Sequence, residues 1–422
     1  MVVGKMSEIT TYEKTKDSGI EWIGSVPSHW RVHTLYQLVT QVKEKNSNLQ
    51  EKNLLSLSYG KIKRKDIDSP DGLLPASFDG YNIIEDGDIV LRLTDLQNDH
   101  TSLRVGLATE RGIITSAYTT LRPIDTSNSK YLYYLLHAFD LKKGFYGMGS
   151  GVRQGLNYAE VKELRVVLPG QDEQNAIVRF LDNQCGQIDS IIEEAKSSIE
   201  EYKKWRASII FEAVTKGLNP LAEMKDSHID WIGLVPSHWK LSRIKNELDN
   251  LDYLREPISA EKRENILGLY DYYGASGVID KIDDYNVDDK VLLIGEDGAN
   301  LRMRNLPLVY KAEGKFWVNN HAHILKVHDD NCYGFIAYLL EAGDYSVFIT
   351  GSAQPKLSQF NLMRFPIVIP PLVEQQKIEA YLDEKCSAID ALIREKKSLL
   401  SELEIYKRSL ILETVTGKRK VV

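Results

Sequence analysis

The sequence predicts an α+β protein written twice, with two divergent, strand-bearing regions joined by two long helices in a coiled coil, an internal pseudo-two-fold repeat. Three observations predict it. A tryptophan-rich segment near the start returns almost unchanged past the middle of the chain. Two charged segments with an apolar stripe repeat one another at a constant offset. Between these retained pieces lie two stretches, residues 31–168 and 240–369, that agree poorly.

The first repeated element reads Asp17-Ser18-Gly19-Ile20-Glu21-Trp22-Ile23-Gly24-Ser25-Val26-Pro27-Ser28-His29-Trp30. It returns as Asp226-Ser227-His228-Ile229-Asp230-Trp231-Ile232-Gly233-Leu234-Val235-Pro236-Ser237-His238-Trp239. Two tryptophans per copy bury a large apolar area, and Gly and Pro set a turn, so this is packing. His29 and His238, each beside a Trp, are expected to be packed or hydrogen-bonded rather than catalytic. The divergent regions keep traces of one plan. Tyr81-Asn82-Ile83 has a counterpart in Tyr285-Asn286-Val287, each ahead of a short apolar strand, Ile89-Val90-Leu91 or Val291-Leu292-Leu293-Ile294. Pro169 and Pro370 each close a strand.

The second repeated element is helical. Ile177, Leu181, Cys185, Ile188, Ile192, Ala195, Ile199, Tyr202, Ile209 and Ala213 follow steps of three and four, which predicts one helix from about Asp172 to Lys216. Ile378, Leu382, Cys386, Ile389, Ile393, Leu400, Leu403 and Leu410 repeat it. Pro371 stands where a first-turn proline is tolerated, and Gly217 and Gly417 where helix-ending glycines belong. So narrow a stripe needs a partner, and the sister helix is the obvious one. The chain therefore divides into residues 1–168, the helix 169–217, the region 218–369 with the repeated entry segment, and the helix 370–422.

A chain of 422 residues suits two or three domains, and 43% apolar with 27% charged residues is a globular composition. No run of about 18 apolar residues or secretory signal is present, which points to a cytoplasmic protein. Cys185, Cys332 and Cys386 form neither a disulfide framework nor a metal site by spacing. The net charge of −7 favours no partner class, because a basic face can coexist with an acidic back.

The familiar catalytic motifs are absent, so a non-catalytic chain without a cofactor or metal of its own is expected. The only Pro-Pro, Pro370-Pro371, is followed by Leu372, unlike the Pro-Pro-aromatic strip of an adenine methyltransferase. Gly147-Met148-Gly149-Ser150-Gly151 lacks the Lys-Ser/Thr of a phosphate-binding loop. Asp86-Gly87-Asp88 and Glu296-Asp297-Gly298 read as hairpin turns. His321-Ala322-His323, near His328, could set two imidazoles on one strand face, but no Cys or carboxylate completes a zinc site at recognised spacing. The sister positions are Ala117 and Thr119, unlike a shared catalytic metal site.

The twice-occurring entry segment, the Pro-x-x-x-Glu-Gln-x-x-Ile start and Glu-x-Val-Thr end of each long helix, and Tyr272-Tyr273-Gly274-Ala275-Ser276-Gly277-Val278 together resemble the specificity subunits of type I restriction-modification systems, over nearly the whole chain. The resemblance implies two mixed α/β target-recognition domains, each reading half of a bipartite DNA site, with the helices as a ruler for the spacer. It also implies two modification subunits and restriction subunits as partners, which would carry S-adenosylmethionine, ATP and Mg. If like modules grip one duplex through like surfaces, they share its two-fold axis, which makes the helices antiparallel. Region 1 has Ser58-Tyr59-Gly60-Lys61-Ile62-Lys63-Arg64-Lys65 instead of the Tyr-Gly-x-Ser-Gly pattern, which suggests unlike half-sites. Basic, amide and hydroxyl side chains with aromatics between them are the expected DNA contacts. In region 1 these are Lys61, Lys63, Arg64 and Lys65 for phosphates, and Arg92, Thr94, Asp95, Arg153 and Gln154 for bases. In region 2 they are Tyr272, Tyr273, Ser276, Arg302, Arg304, Asn319, Asn320, His321, Gln354 and Lys356. The alternative is a coiled-coil adaptor whose two heads bind proteins.

Overall fold

The structure is a computed structural model that describes residues 10–67, 75, 77–96, 98, 99, 101–148, 155–264 and 268–421. Four helices organise it: α1 (Ser129–Leu141), α2 (Gln171–Lys216), α3 (Tyr333–Ala342) and α4 (Leu372–Val415). The chain forms two compact units, residues 1–195 with 398–422, and residues 196–397, so both long helices are divided between them.

In the first unit Thr15–Asp17 pairs antiparallel with Ser25–Pro27, and Arg31–Thr34 with Arg165–Leu168. The central sheet is antiparallel, in the order Val39–Gln41, Thr119–Pro123, Ile89–Leu91, Val105–Leu107. Two two-stranded ribbons complete the head, Asn82–Ile84 with Gly112–Ile114 and Leu55–Ser58 with Lys61–Arg64. Asp86-Gly87-Asp88 is a turn, with Gly87 at φ +88°, but not the expected hairpin, because the strands on either side join different sheets. Trp30 is fully buried among Ile20, Ile23, Val26, Tyr131 and the helical stripe. Burying an aromatic of this size removes on the order of 200 Å² from water, which explains why the entry segment is retained.

The second unit repeats the frame. Met224–Asp226 pairs with Leu234–Pro236, and Lys240–Arg243 with Pro366–Ile369, which leads into α4 as Arg165–Leu168 leads into α2. Its head is a six-stranded sheet in the order Leu248–Asn250, Ala322–Val327, Val287–Gly295, Val309–Val318, Tyr270–Gly274, Gly277–Ile282. All neighbours are antiparallel except Tyr270–Gly274 beside Val309–Val318. Glu296-Asp297-Gly298 is not a hairpin turn. It opens a longer connection that carries a short helix, Asn300–Met303.

Within each unit the long helices run antiparallel. Ile177, Leu181 and Cys185, near the start of α2, share a core with Leu410, Ile411 and Val415, at the end of α4, and Lys407 Nζ lies 2.6 Å from Asp189. In the other unit Ile210, Ala213 and Val214 of α2 share a core with Ile378, Leu382 and Cys386 of α4, and Arg206 lies 3.2 Å from Asp390. The stripe shifts near the end of α2, where Ile210 is buried and Ile209 only partly so. A helix of 3.6 residues per turn drifts against a 3.5-residue pattern. Gly217 and Gly417 end the helices in the left-handed conformation, at φ +72° and +69°. Pro371 stands one residue before α4, its carbonyl accepting from the N–H of Glu374 at 2.8 Å. The three cysteines are free and buried. No helix among the described residues is long and apolar enough to cross a membrane.

Candidate nucleic-acid interface

Each head presents loops held from beneath by buried charge, and the two heads do this with different chemistry. In the first unit the support is Arg104, which is fully buried. Its guanidinium donates to the carbonyls of Arg92 (3.1 Å), Thr94 (2.7 Å), Asp95 (3.1 Å) and Asp99 (2.6 Å), and through Nε to the Tyr146 hydroxyl (2.9 Å). A planar group with five donors is the one side chain that can gather so many carbonyls. Its own N–H donates to Asp140, whose carboxyl is raised by burial. The loop after Leu91 is thereby closed over Arg104, leaving Thr94 and Asp95 exposed, Asp95 at φ +58°. Arg92 is half-buried, 3.6 Å from Asp99, so part of its charge is already compensated. Hydrogen bonds from Ser102 hold the Asp99 carboxyl well below the usual range. Arg153 and Gln154, with Gly149-Ser150-Gly151, lie outside the described residues.

Lys61, Lys63, Arg64 and Lys65 all lie exposed on or just after the ribbon strand Lys61–Arg64. Ser56 faces Lys63 and Ser58 faces Lys61, which makes one polar face, while Leu55, Leu57 and Ile62 turn to the core. Arg64 is not free, because Glu110 accepts from its Nε at 2.8 and 2.9 Å.

In the second unit the support is a charge network under the end of strand Val287–Gly295. Both ring nitrogens of the fully buried His323 face acceptors: Nδ1 lies 2.6 Å from Asp252 and Nε2 2.8 Å from the Leu357 carbonyl. Arg255 joins Asp252 (3.3 Å) to Glu296, and Lys356 reaches Glu296 at 2.9 Å. Burial alone would raise both carboxyls, but the hydrogen bonds and positive charge around them outweigh it and lower both. The Glu296 N–H donates to the His321 carbonyl and the Leu357 N–H to the Glu296 carbonyl, which ties turn 319–321 to segment 351–357. Turn 275–276 abuts Gly295, whose Cβ, if present, would lie 2.7 Å from the Ala275 carbonyl. The network therefore gathers Ser276, Arg302, Asn320, His321, Gln354 and Lys356, all exposed, around one strand end; Arg302 donates to the Gly351 carbonyl at 3.1 Å.

Four expected contacts fall elsewhere. Tyr272 is buried, its hydroxyl accepting from the Ile258 N–H at 3.0 Å and the Arg263 guanidinium lying 4.6 Å from its ring. Tyr273, half-buried on the other face, packs on Phe316 at 5.5 Å. Strand alternation with a bulge between the two tyrosines commits both rings to packing. Asn319 is buried and accepts from the His321 N–H at 2.8 Å, forming the turn rather than projecting from it. Arg304 is exposed but turned to the carbonyls of Glu341 (3.2 Å) and Gly343 (2.6 Å), at the end of α3.

His321 and His323 take separate carboxylates, Asp297 at 2.7 Å and Asp252, while His328 meets Asp249 at 3.1 Å. No group of three or more His, Cys, Asp or Glu side chains placed for a metal occurs among the described residues. His29 and His238 are structural: each lies 2.8 Å from the glutamate at the start of a long helix, Glu173 or Glu374. Tyr12 adds a 2.6 Å hydrogen bond to Glu173, and Trp239 Nε1 one of 3.2 Å to Glu374. Sequence reasoning missed these acceptors, although both glutamates recur at the same offset as the helices. Arg104 carried no local signal.

Each unit thus carries a strand-rich head on its own stretch of paired antiparallel helices. A chain in a solved structure of the type I R-M system, concerned with complex assembly and conformational transition, has the same fold, with a TM-score of 0.66 over 92% of this chain and 98% of that one at 14% identity. Residues 236–402 match the family described as type I restriction modification DNA specificity domain. That match takes in the second head and most of α4, 167 of the 422 residues. It is similar to a type I restriction enzyme specificity subunit of Haemophilus influenzae, at 32% identity over 34% of this chain and 36% of the relative. It is also similar to the MjaX specificity subunit of Methanocaldococcus jannaschii, at 30% identity over 28% of this chain and 26% of the relative. The matched segments thus span about a third of the first relative's length and about a quarter of the second's.

Proposed function

We propose that this chain is the DNA sequence-specificity subunit of a type I restriction-modification complex, with no catalytic site of its own. It binds an asymmetric, bipartite target through its two heads, and the long helices set the unread spacer. Methylation or cleavage is carried out by partners, two modification subunits holding S-adenosylmethionine and restriction subunits using ATP and Mg, in the cytoplasm.

The observation that supports this best is the contrast between frame and loops. Entry strands, exit strands and long helices recur in the same order and pairing in both units, while the exposed loops rest on Arg104 in one head and on His323, Asp252 and Glu296 in the other. Two readers of different half-sites need a common mount and unlike reading surfaces. Methylome sequencing of a host carrying this chain with its modification subunit tests the reading. The expected result is methylation at one two-part, non-palindromic motif; an unchanged methylome refutes it.

A further inference from the structure

The ribbon 55–64 ends in a residue whose backbone and exposure are both unusual. Ser58 pairs with Lys61, so the loop is the two residues Tyr59 and Gly60, at φ +48° and +75°. Two left-handed residues in succession are the geometry of a type I′ turn, which strongly favours Asn-Gly. Gly60 meets that demand, and the space demands it too, since a Cβ there would lie 3.0 Å from Leu103 Cβ. Tyr59 does not meet it. A bulky residue in this region is strained, and folding gains little in return, because Tyr59 is 77% exposed.

The surroundings of the tip indicate what the ring is for. Lys61, Lys63 and Lys65 follow it at alternate positions along the exposed ribbon, and no ion pair is present for any of them among the described residues. The neighbouring cation that does have a partner, Arg64, is held by Glu110. Unpaired ammonium groups along one edge match a row of phosphates, and a two-stranded ribbon fits a major groove about 12 Å wide. The hairpin tip of the second head is different: Ser276 stands there, followed by exposed Val278 and Ile279.

We propose that Tyr59 is the base-contacting residue of the first head, carried into the groove of duplex DNA by the ribbon while Lys61, Lys63 and Lys65 neutralise the flanking phosphates. This rests on the DNA-reading function proposed above. The strained backbone is retained because an aromatic ring at the tip serves binding, not folding.

The substitution Tyr59→Asn separates the two roles, because Asn-Gly is what the turn prefers. The full chain, assembled with its modification subunit, is measured against the duplexes that the wild-type complex enriches from a randomised pool, and against a scrambled duplex. The expected result is a thermal midpoint equal to or above wild type, roughly 10- to 100-fold weaker binding to the enriched duplexes, and unchanged binding to the scrambled one. Lys63→Gln should weaken both duplexes alike and reduce the salt slope by about one. Wild-type affinity in Tyr59→Asn, an equal loss on both duplexes, or a lowered midpoint overturns the assignment of Tyr59 while leaving the DNA-reading function intact. A wild-type complex that enriches no duplex overturns both.

Discussion

Substituting alanine for each helix-ending glycine probes whether the two copies of the repeated junction are equally tight. Gly417 and Gly217 both occupy the left-handed region, where a Cβ costs roughly 1–2 kcal/mol. Their surroundings differ. A Cβ on Gly217 would meet Glu374 Oε1 at 3.1 Å and Trp239 Cζ2 at 3.2 Å, and a glutamate tip can move aside. A Cβ on Gly417 would overlap Pro27 Cδ and lie 2.9 Å from Pro27 Cγ, on a ring that cannot rotate away. That overlap adds roughly 1–3 kcal/mol. Gly417→Ala should therefore cost about 2–5 kcal/mol and Gly217→Ala about 1–2. Two units need not unfold as one, so native-state hydrogen exchange of the last turn of each helix is the appropriate assay. Protection at the end of α4 should fall roughly thirty-fold or more in Gly417→Ala, against roughly ten-fold at the end of α2 in Gly217→Ala. Equal losses in the two variants would refute the reasoning.

Three further outcomes follow from buried polar groups. Burial pushes the His137 imidazole down to about 4, with Lys407 adding to the effect, so the unfolded chain binds the proton more readily. Its contribution is intact above the ordinary His value and is lost as pH falls from about 6.5 to 4, to a total of about 3 kcal/mol; urea unfolding at pH 7.5 and 5 should show about 2 kcal/mol of that loss in wild type and not in His137→Leu. Arg104→Lys cannot reach the four loop carbonyls, so, on the proposed function, selection from randomised duplexes should show relaxed preference in one half-site and an unaltered other half. Tyr272→Phe loses the hydroxyl's two hydrogen bonds to Ile258, from its N–H and to its carbonyl, about 1–2 kcal/mol of stability, and leaves DNA affinity unchanged in a binding titration, because the ring is packed inside.

The scaffold was legible in the sequence because its signals are periodic and repeated. An apolar stripe and its constant offset identify α2 and α4, and the glycines after them are required by backbone geometry. The loops were harder to read, because residue type does not report burial. Arg104 and Lys63 are both cations, yet one is sealed under a loop and the other lies on an open ribbon. Tyr272 and Asn319 have the chemistry of base-reading residues and are spent on packing and on a turn. The support under the second head joins Asp252, Glu296, His323 and Leu357, far apart in sequence, so no local pattern could announce it. Tyr59 was passed over because its significance lies in a backbone angle, which a sequence does not display.

The central claim, that recognition is partitioned between the two heads, is tested most directly by exchanging residues 31–168 for the corresponding region of another family member and sequencing the host methylome. The account predicts that one half of the methylated motif changes while the other half and the spacer persist. A chimera that rewrites both halves, or alters neither, would contradict it.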